Sequence, residues 1–417
     1  MKLRIEKCIY GGAGLARDEG KAIFVPLTLP GELVQARITE DKQSFANAEL
    51  ESILQPAPER TSAPCPYFGA CGGCHYQHAA YPYQIEIKRS ILHETLERAR
   101  LSPLPEIVPV SSAPLGYRNR VRLHISERPF TLSYKRRGSH QNLPIQKCPI
   151  SAPVLNEAIA AINQMGESAG LTCFSEVEFF TNQAQNQLLL SLWTNKYLSD
   201  TTQVLDALRE VPALSGAAVF TISNEKHQSK KIAQWGEQSL TYEAGGHRYR
   251  ASIGSFFQVN RFLIDQLTQI VCNNRSGKLA WDLYAGVGLF SVALAETFDR
   301  VIAVESAPSS SQDLRANLPA GKHTSVTNHT LAFLRQQTAA PDLIVLDPPR
   351  TGLGKEITAL LTKVRAKTLV YVSCDPATLS RDLKSLVESG YRLREMYMVD
   401  MFPQTFHLES VAVLSLD

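Results

Sequence analysis

The chain has 417 residues, of which 44% are hydrophobic and 20% charged, and its formal net charge is +3. This composition is typical of an ordinary globular protein, and the length predicts two or three domains. No apolar run reaches about 18 residues, which excludes a membrane-spanning helix, and the N-terminal sequence has no signal-peptide core. We therefore expect a cytoplasmic protein without a membrane partner, in which clustered cysteines bind metal or react rather than form disulfides.

The N-terminal part of the chain has the pattern of a small β-barrel. Residues 1–55 alternate apolar and polar side chains in short runs broken by glycines, as oligonucleotide-binding barrels do. A stretch rich in proline and polar residues at 55–64 predicts a linker. Residues 81–100 then have helical periodicity.

The middle of the chain predicts a mixed α+β segment from 107 to about 250. Strands are expected at 121–125, 176–181, 187–193 and 217–222, and helices at 154–169 and 200–210.

A basic stretch lies within this segment, with eight basic residues and one acid between Gly116 and Lys147. The basic residues are Arg118, Arg120, Arg122, Arg128, Lys135, Arg136, Arg137 and Lys147. Basic side chains interleaved with Tyr117 and Tyr134 suit phosphates and unstacked bases, which favours RNA as a partner. The alternative is the solvated face of a small sheet, and the sequence leaves both interpretations open.

From residue 279 onward, short strands alternate regularly with helices. Strand candidates lie at 279–284, 300–305, 324–328, 342–347 and 368–373. This alternation predicts a parallel, doubly wound α/β sheet. The last two candidates, 391–400 and 408–416, follow each other closely and predict an antiparallel pair at one edge.

The first turn of this sheet has the sequence DLYAGVGLFS, in which Gly286 and Gly288 let a ligand approach the backbone. Glu305 ends the next strand about 20 residues later, where a carboxylate can accept hydrogen bonds from both hydroxyls of a ribose. The third glycine of the dinucleotide fingerprint is missing, which disfavours an NAD-dependent enzyme. A mononucleoside such as the adenosine of S-adenosyl-L-methionine fits better.

Asp347 and Cys374 end two later strands, at the sheet edge where such folds bind ligands. Most single cysteines simply pack in a core. Cys374, however, stands at a strand-to-helix corner, and the prolines after Asp347 and Asp375 turn the chain off each strand. We interpret Cys374 as a nucleophile.

A thiolate beside a methyl sulfonium suits methylation of a pyrimidine at C5, because C5 has no lone pair. Addition of the thiolate to C6 makes C5 nucleophilic, and after methyl transfer a base must remove the C5 proton so that the thiolate can leave. Glu409, at the start of the last strand, is the candidate base, and His407 is its rival.

A cluster of cysteines precedes the predicted helix, at Cys65, Cys71 and Cys74, and Cys148 lies far downstream. Four thiolates from two loops suit a tetrahedral metal ion or an iron–sulfur cluster. A zinc ribbon would have two Cys-x2-Cys halves, whereas Cys148 stands alone.

Together these residues resemble the RumA/TrmA family of RNA 5-methyluridine methyltransferases. The resemblance covers essentially the whole chain, and its most specific motifs are SCDPATLSRDL, FPQTFHLES, SFFQVN and CPYFGACGGC with KCPI. It implies a C-terminal Rossmann-like, class I methyltransferase domain that uses S-adenosyl-L-methionine, an N-terminal TRAM barrel and an α+β central domain. It also implies that the helix at 81–100 packs against the methyltransferase domain.

The resemblance assigns roles to individual residues. It implies that Cys374 is the nucleophile, Glu409 the base, and Phe256 an aromatic that stacks on the target uracil. It implies cofactor contacts from Gln258, Tyr284, Glu305 and Asp347. It implies a [4Fe–4S] cluster held by Cys65, Cys71, Cys74 and Cys148. Leu289 departs from the family, some of whose members have asparagine there, and both Asn328 and His329 fit the adenine side.

The expected domains are a TRAM domain at 1–58, a central iron–sulfur and RNA-binding domain at 59–78 and 107–254, and a methyltransferase domain at 79–106 and 255–417. Family members with both the barrel and the cluster mostly resemble the enzymes that modify 23S rRNA. We therefore favour 23S rRNA as the substrate, with tRNA as the alternative. We expect a monomer, since no pattern indicates an oligomer.

Two rival functions remain. Enzymes that form 5-methylcytosine in RNA place Pro-Cys after the fourth strand, but here Asp347 is followed by Pro-Pro-Arg. A non-catalytic RNA-binding protein would use the barrel and the basic stretch but would have no use for Cys374 or Glu409.

Overall fold

A computed structural model describes residues 1–222 and 229–416 of the chain. Residues 223–228, inside the predicted central domain, and Asp417, the end of the predicted methyltransferase domain, lie outside the described residues. In the part of the chain that is described, no helix is both long and apolar enough to cross a membrane.

The N-terminal strands form one sheet. They are β1 (Lys2–Arg4), β2 (Lys7–Cys8), β3 (Ala13–Asp18), β4 (Lys21–Pro26), β5 (Leu33–Asp41) and β6 (Phe45–Gln55). Their order in the sheet is β1-β5-β6-β4-β3-β2. Alternate residues such as Ile23 and Val25 of β4 are buried in a common core, because successive side chains of a strand point to opposite faces. The predicted small barrel is confirmed.

The second group of elements forms the central domain, after α1 (Tyr81–Arg98) and β7 (Ile107–Val110), which belong elsewhere. The group comprises β8 (Arg120–Glu127), β9 (Phe130–Lys135), β10 (Asn142–Pro144), α2 (Pro153–Met165), β11 (Glu176–Thr181), β12 (Leu188–Thr194), α3 (Thr202–Ala207), β13 (Leu214–Ile222) and β14 (Ser229–Gly236). The strands pair in the order β10-β9-β8-β11-β12-β13-β14, and α2 covers one face.

The third group forms the C-terminal domain, after a hairpin of β15 (Ser239–Ala244) and β16 (His247–Ser252). Its elements are α4 (Ile264–Cys272), β17 (Gly277–Leu283), α5 (Leu289–Leu294), β18 (Phe298–Glu305), α6 (Pro308–Asn317), β19 (Thr324–Thr327), α7 (Thr330–Arg335), β20 (Leu343–Leu346), α8 (Gly354–Val364), β21 (Thr368–Ser373), α9 (Pro376–Glu388), β22 (Arg392–Val399) and β23 (Glu409–Ser415). The strand order is β19-β18-β17-β20-β21-β23-β22-β7. The parallel, doubly wound sheet with its antiparallel β22–β23 pair is confirmed.

Both ends of the predicted central segment 107–254 need correction. β7 pairs in parallel with β22 at the edge of the C-terminal sheet, with Ile107 opposite Met396. The hairpin β15–β16 is bonded to α6, because Ser252 donates its backbone N–H to Asp313 at 2.7 Å. Both β7 and the β15–β16 hairpin therefore belong to the C-terminal domain, because their apolar side chains pack in its core.

The helix α1 docks on the C-terminal domain, as the resemblance implied. Its apolar face, with Leu92 and Leu96, packs into the core around β22. Lys88 is fully buried on this helix and forms an ion pair with Asp400, with 2.5 Å between Nζ and Oδ1. Tyr81 donates its hydroxyl to the other oxygen of Asp400 at 2.9 Å. A buried charge needs such a partner, so the pair fixes where α1 sits.

Candidate active site

The glycine turn after β17 opens a cleft at the carboxyl edge of the sheet. Tyr284, Gly286 and Gly288 all have positive φ, and a Cβ on Gly288 would stand 2.8 Å from Leu314. Glycine is therefore required at 288. Across the turn, Glu305 accepts the N–H of Gly286 at 2.9 Å. The carboxylate is thus held opposite the turn, as predicted for a ribose contact.

Four of the predicted cofactor residues line this cleft together. Its walls are Phe256, Phe257, Gln258, Tyr284, Ala285, Gly286, Val287, Leu289, Phe290 and Asp347. Gln258 donates its side-chain amide to Asp347 at 3.3 Å. The cleft is thereby linked to the end of β20.

Asp347, which lines the cleft, is influenced by a second carboxyl group, the fully buried Asp282. Burial, followed by the charge of Asp282, raises the pKa of Asp347 to about 7. Burial also raises the pKa of Asp282 to about 7, although Ser291 donates its hydroxyl to it at 2.5 Å. Because a nearby opposite charge favours the ionised form of a carboxyl group, a cation in the cleft would favour ionised Asp347.

Phe256 stands at the mouth of the cleft, with 58% of its surface exposed. The chain beneath it is fixed by Ser255, which donates its hydroxyl to buried Asp313 at 2.6 Å. Arg120 donates to the Ser255 carbonyl at 2.8 Å. The exposed ring is therefore carried on a rigid segment and is available to stack on a base.

Cys374 follows β21 directly, and Glu409 begins β23. In the antiparallel pair of these strands, Ser373 lies opposite Ser410, so Cys374 and Glu409 stand at the same edge. Asp375 caps α9 by accepting the N–H groups of Ala377 at 3.0 Å and of Thr378. The cap fixes the corner that carries the thiol.

The electrostatics of this corner are set by burial and by three charged residues. Burial, then the charge of Glu409, raises the pKa of Cys374 to about 12. Burial, then the charge of Asp347, raises the pKa of Glu409 well above its usual value. The Arg350 guanidinium opposes both shifts, because a nearby cation favours a thiolate and a carboxylate.

His407, the rival base, is half-buried beside Arg350, with 3.3 Å between its Nδ1 and the guanidinium. Burial, then the charge of Arg350, lowers its pKa to about 3. The imidazole is therefore neutral near pH 7 and a weak proton acceptor.

The four predicted metal-ligand cysteines line one cavity, together with Arg118 and Tyr134. The Nε atom of Arg118 in this cavity and the Nε atom of Arg137, whose guanidinium donates to the Cys74 carbonyl, are buried and have no hydrogen-bond partner among the described residues. Within residues 1–222 and 229–416, no three His, Cys, Asp or Glu side chains are grouped closely enough for a single metal ion.

The side chains of the predicted basic patch differ in exposure and do not share one exposed face. Arg118 lines the cysteine cavity, and Arg137 donates to the Cys74 carbonyl at 3.1 Å. Arg120 is only 16% exposed and lies over the ring of Phe180 at 3.9 Å. These side chains face inward because they satisfy buried carbonyls, rings and thiols.

The rest of the patch lies nearer the surface. Arg122 pairs with Glu176 and covers the ring of Trp193 at 4.1 Å. Lys135 donates to Asn142 at 2.6 Å, and Arg136 is exposed. Of the six basic side chains predicted to contact RNA, Arg122 and Arg136 are exposed and the other four are half-buried.

The chain matches two known sequence families. Residues 80–336 and 329–416 match the family described as tRNA (Uracil-5-)-methyltransferase, and residues 2–50 match the TRAM domain. The chain belongs to the tRNA (Uracil-5-)-methyltransferase family. This membership confirms the resemblance found in the sequence and the predicted enzyme class, an RNA (uracil-C5)-methyltransferase that uses S-adenosyl-L-methionine.

Relatives within the uracil-5-methyltransferase family match along nearly the whole chain. An Aquifex aeolicus protein named an uncharacterized RNA methyltransferase is 32% identical over 99% of this chain and 98% of its own length. The 23S rRNA (uracil(1939)-C(5))-methyltransferase RlmD of Shewanella denitrificans is 31% identical over 100% of this chain and 96% of its own.

A solved structure confirms the fold. The Pyrococcus abyssi tRNA (uracil-54, C5)-methyltransferase, in complex with S-adenosyl-L-homocysteine, matches 99% of this chain and 100% of its own. The TM-score is 0.78 at 24% identity.

Sequence reasoning missed Arg350 and Asp282, whose charges affect the candidate site of this chain. Arg350 belongs to the quoted DPPR turn, and its position after a strand-ending aspartate was a usable signal. Asp282 opens the quoted DLYAGVG motif, but only its burial reveals its effect on Asp347.

Proposed function

We propose that the protein transfers the methyl group of S-adenosyl-L-methionine to C5 of a uridine in RNA, using Cys374 as nucleophile and Glu409 as base. The observation that carries the proposal is the placement of Cys374 and Glu409 at one edge of the β21–β23 pair. Asp347, which ends the neighbouring strand, links that edge to the cleft with the glycine turn.

Cys374 forms the bond to the substrate. Its thiolate attacks C6 of the uracil, and the electron pair of the C5–C6 bond makes C5 nucleophilic. The Arg350 guanidinium favours the thiolate, because it lowers the pKa of a thiol that burial raises. Bound S-adenosyl-L-methionine supplies the electrophilic methyl group to C5.

Glu409 removes the C5 proton, after which the C5–C6 double bond re-forms and the thiolate leaves. A buried carboxylate with a raised pKa is a stronger proton acceptor than an ordinary glutamate. The low pKa of His407 makes that residue the weaker candidate. Glu409 is therefore preferred over its rival.

We assign the cofactor contacts to the cleft. Glu305, held opposite the glycine turn, is placed to accept the ribose hydroxyls. Asp347, Gln258 and Tyr284 line the part of the cleft that is shared with Phe256. Phe256 is assigned to stack on the target uracil because its ring is exposed.

We favour 23S rRNA as the substrate and keep tRNA as the alternative. The relative from Shewanella denitrificans that matches the whole chain at 31% identity is named for 23S rRNA. The tRNA enzyme from Pyrococcus abyssi is 24% identical. We assign RNA contacts outside the pocket to Arg122, Lys135 and Arg136, and we expect a cytoplasmic monomer.

We propose a [4Fe–4S] cluster rather than zinc at Cys65, Cys71, Cys74 and Cys148. These cysteines line one cavity, and the choice of the cluster over zinc follows the family resemblance of the CPYFGACGGC and KCPI motifs. The unpartnered Nε atoms of Arg118 and Arg137 fit an anionic cluster with acceptor sulfurs. When bound, the cluster would tie the cysteine loop to the central domain.

The test is methyl transfer from labelled S-adenosyl-L-methionine to unmodified 23S rRNA and tRNA transcripts, with nucleoside mass spectrometry. The proposal expects 5-methyluridine in the rRNA and none with Cys374→Ala, whereas the matched control Cys173→Ala stays active. Methylation of tRNA alone would overturn the substrate, and full activity of Cys374→Ala would overturn the mechanism.

A further inference from the structure

The loop between β2 and β3 of the N-terminal barrel reaches the catalytic corner. Tyr10, on this loop, donates its hydroxyl to the backbone carbonyl of Cys374 at 3.3 Å. The two residues are 364 positions apart in sequence. A side chain of the barrel thus touches the backbone of the proposed nucleophile itself.

The ring of Tyr10 is held by an aromatic group from the catalytic domain. It meets Phe406 edge-on, with 5.3 Å between ring centroids. Phe406 in turn contacts His75 at 4.6 Å and His407 at 4.2 Å. Because Phe406 lies just before Glu409 in the chain, the ring contact reaches the segment that carries the proposed base.

Two backbone features hold the barrel loop at this place. A Cβ on Gly12 would stand 3.0 Å from the side chain of His75, so a glycine lets the loop approach this closely. His75 and Tyr76 both donate their N–H groups to the Gln404 carbonyl, at 2.8 and 3.0 Å. The barrel loop therefore contacts the segment around His75 and the segment around Gln404 and Phe406, and the three meet next to Cys374.

The hydroxyl of Tyr10 stays protonated and able to donate. Burial, then the charge of Asp375, raises the pKa of Tyr10 above its usual value, and a hydrogen bond between the hydroxyl and the Asp375 side chain adds to the rise. Asp375 also accepts the N–H groups that cap α9. The peptide after Cys374 is accordingly held from the helix side and from the barrel side.

We propose that Tyr10 is a positioning residue for the catalytic thiol: its hydrogen bond to the Cys374 carbonyl orients the Sγ toward C6 of the target uracil. The inference rests on the proposed function and extends it. The barrel is then a part of the catalytic centre, in addition to any contact that it makes with RNA.

The test uses Tyr10→Phe in the full chain, which removes the hydroxyl but keeps the ring against Phe406. The matched control is Tyr197→Phe, a tyrosine that is 93% exposed. Two quantities are measured: kcat and KM for RNA and cofactor, and the rate of covalent adduct formation with RNA containing 5-fluorouridine. A base can remove hydrogen from C5 as a proton, but it cannot remove fluorine as a cation. The Cys374 adduct therefore accumulates after methyl transfer.

Tyr10→Phe is expected to lower kcat and the adduct rate about fivefold each, the effect of one lost hydrogen bond, with both KM values unchanged. Tyr197→Phe is expected to match wild type. Tyr10→Ala, which also loses the ring, is expected to lower the adduct rate further.

Three results would overturn the inference. A Tyr10→Phe adduct rate equal to wild type, with wild-type adduct present, removes the positioning role and leaves the proposed function intact. A higher KM for RNA with unchanged kcat makes Tyr10 an RNA contact instead. Absence of any adduct with wild-type protein defeats the proposed function and this inference together.

Discussion

At the scale of single residues, the catalytic edge is a set of buried carboxyl groups around one thiol. Glu409 is 4% exposed, Asp282 is fully buried and Asp347 lines the cleft, and burial raises the pKa of all three. The Arg350 guanidinium opposes the rise in the pKa of Glu409 and of Cys374. The protonation of these groups therefore depends on the charge of the cofactor or substrate that binds at this edge.

Replacing Glu409 by glutamine is expected to trap the enzyme on its RNA. Without a base the C5 proton stays, so the thiolate cannot leave and the covalent complex accumulates. A denaturing gel with labelled RNA measures the complex, and turnover is expected to fall at least ~100-fold. Glu388→Gln, at the exposed end of α9, is the control. Normal turnover without a trapped complex would contradict the assignment of Glu409.

Cofactor affinity is expected to rise with pH up to about 7. Asp347 is protonated below its pKa of about 7 in the free protein, and the positive charge of the cofactor favours its ionised form. Binding then releases a proton, so affinity falls as pH drops below that value, by up to about tenfold per pH unit. Calorimetry at pH 5.5–8 checks this.

In Asp347→Asn the same titration is expected to be nearly flat, with weaker binding at pH 8. A flat profile in wild type would show that Asp347 is already ionised in the free protein.

Residues at strand ends were predictable, whereas the directions of side chains were not. Cys374, Asp347 and Glu305 stand where the strand pattern stops, which is visible in the sequence. Around Arg118 and Arg120 the alternation of a strand is also visible in the sequence. Distant parts of the chain decide, however, which face of that strand is covered. The sequence therefore predicts RNA contacts for these residues without showing which of their side chains are exposed.

At the scale of elements, the local patterns located most strands and helices. β11 occupies 176–181, as predicted, and α1 ends only two residues before the predicted boundary. β7 was assigned to the wrong domain because it has four residues, one of them proline, and its partner β22 lies near the other end of the chain. Long-range pairing of short strands has no local signature.

The contact between α1 and the C-terminal domain is expected to depend on the Lys88–Asp400 pair. Lys88→Met removes one partner and leaves a buried carboxylate, so the free energy of unfolding is expected to fall by about 3–5 kcal/mol. Urea titration measures the change. Lys384→Met, which removes an exposed lysine of α9, is expected to change stability by less than about 0.5 kcal/mol.

The double variant Lys88→Met/Asp400→Asn is expected to recover part of the loss, since no net charge is then buried. If Lys88→Met alone were as stable as wild type, the buried pair would not hold α1 in place.

At the scale of the whole molecule, three domains meet beside Cys374, and the cysteine cavity lies close to that meeting point. Cys74 lines the cavity, and the next residue, His75, contacts Phe406. The sequence predicted the four cysteines as a set, and they share a cavity. It could not predict that their loop abuts the catalytic loop, because that contact joins distant segments.

Cys148→Ser is expected to lose most of the iron and sulfide of the purified protein and to lower its melting temperature. The single cysteine from the central domain would then no longer hold the cluster to that domain. Iron and sulfide assays on anaerobically purified protein measure this, with Cys173→Ser as the control. Stoichiometric zinc in wild type, or full iron in Cys148→Ser, would contradict the cluster proposal.

The strand order of the C-terminal sheet has a consequence for the order of events during synthesis. β23 lies between β21 and β22, although it follows both in the chain, and β7 joins the sheet only through β22. Until β22 and Asp400 have been synthesised, β7 has no strand to pair with and Lys88 lacks its carboxylate partner. The barrel is able to fold early, while the segment after it waits with apolar residues exposed, which makes a nascent chain of this topology a substrate for chaperones.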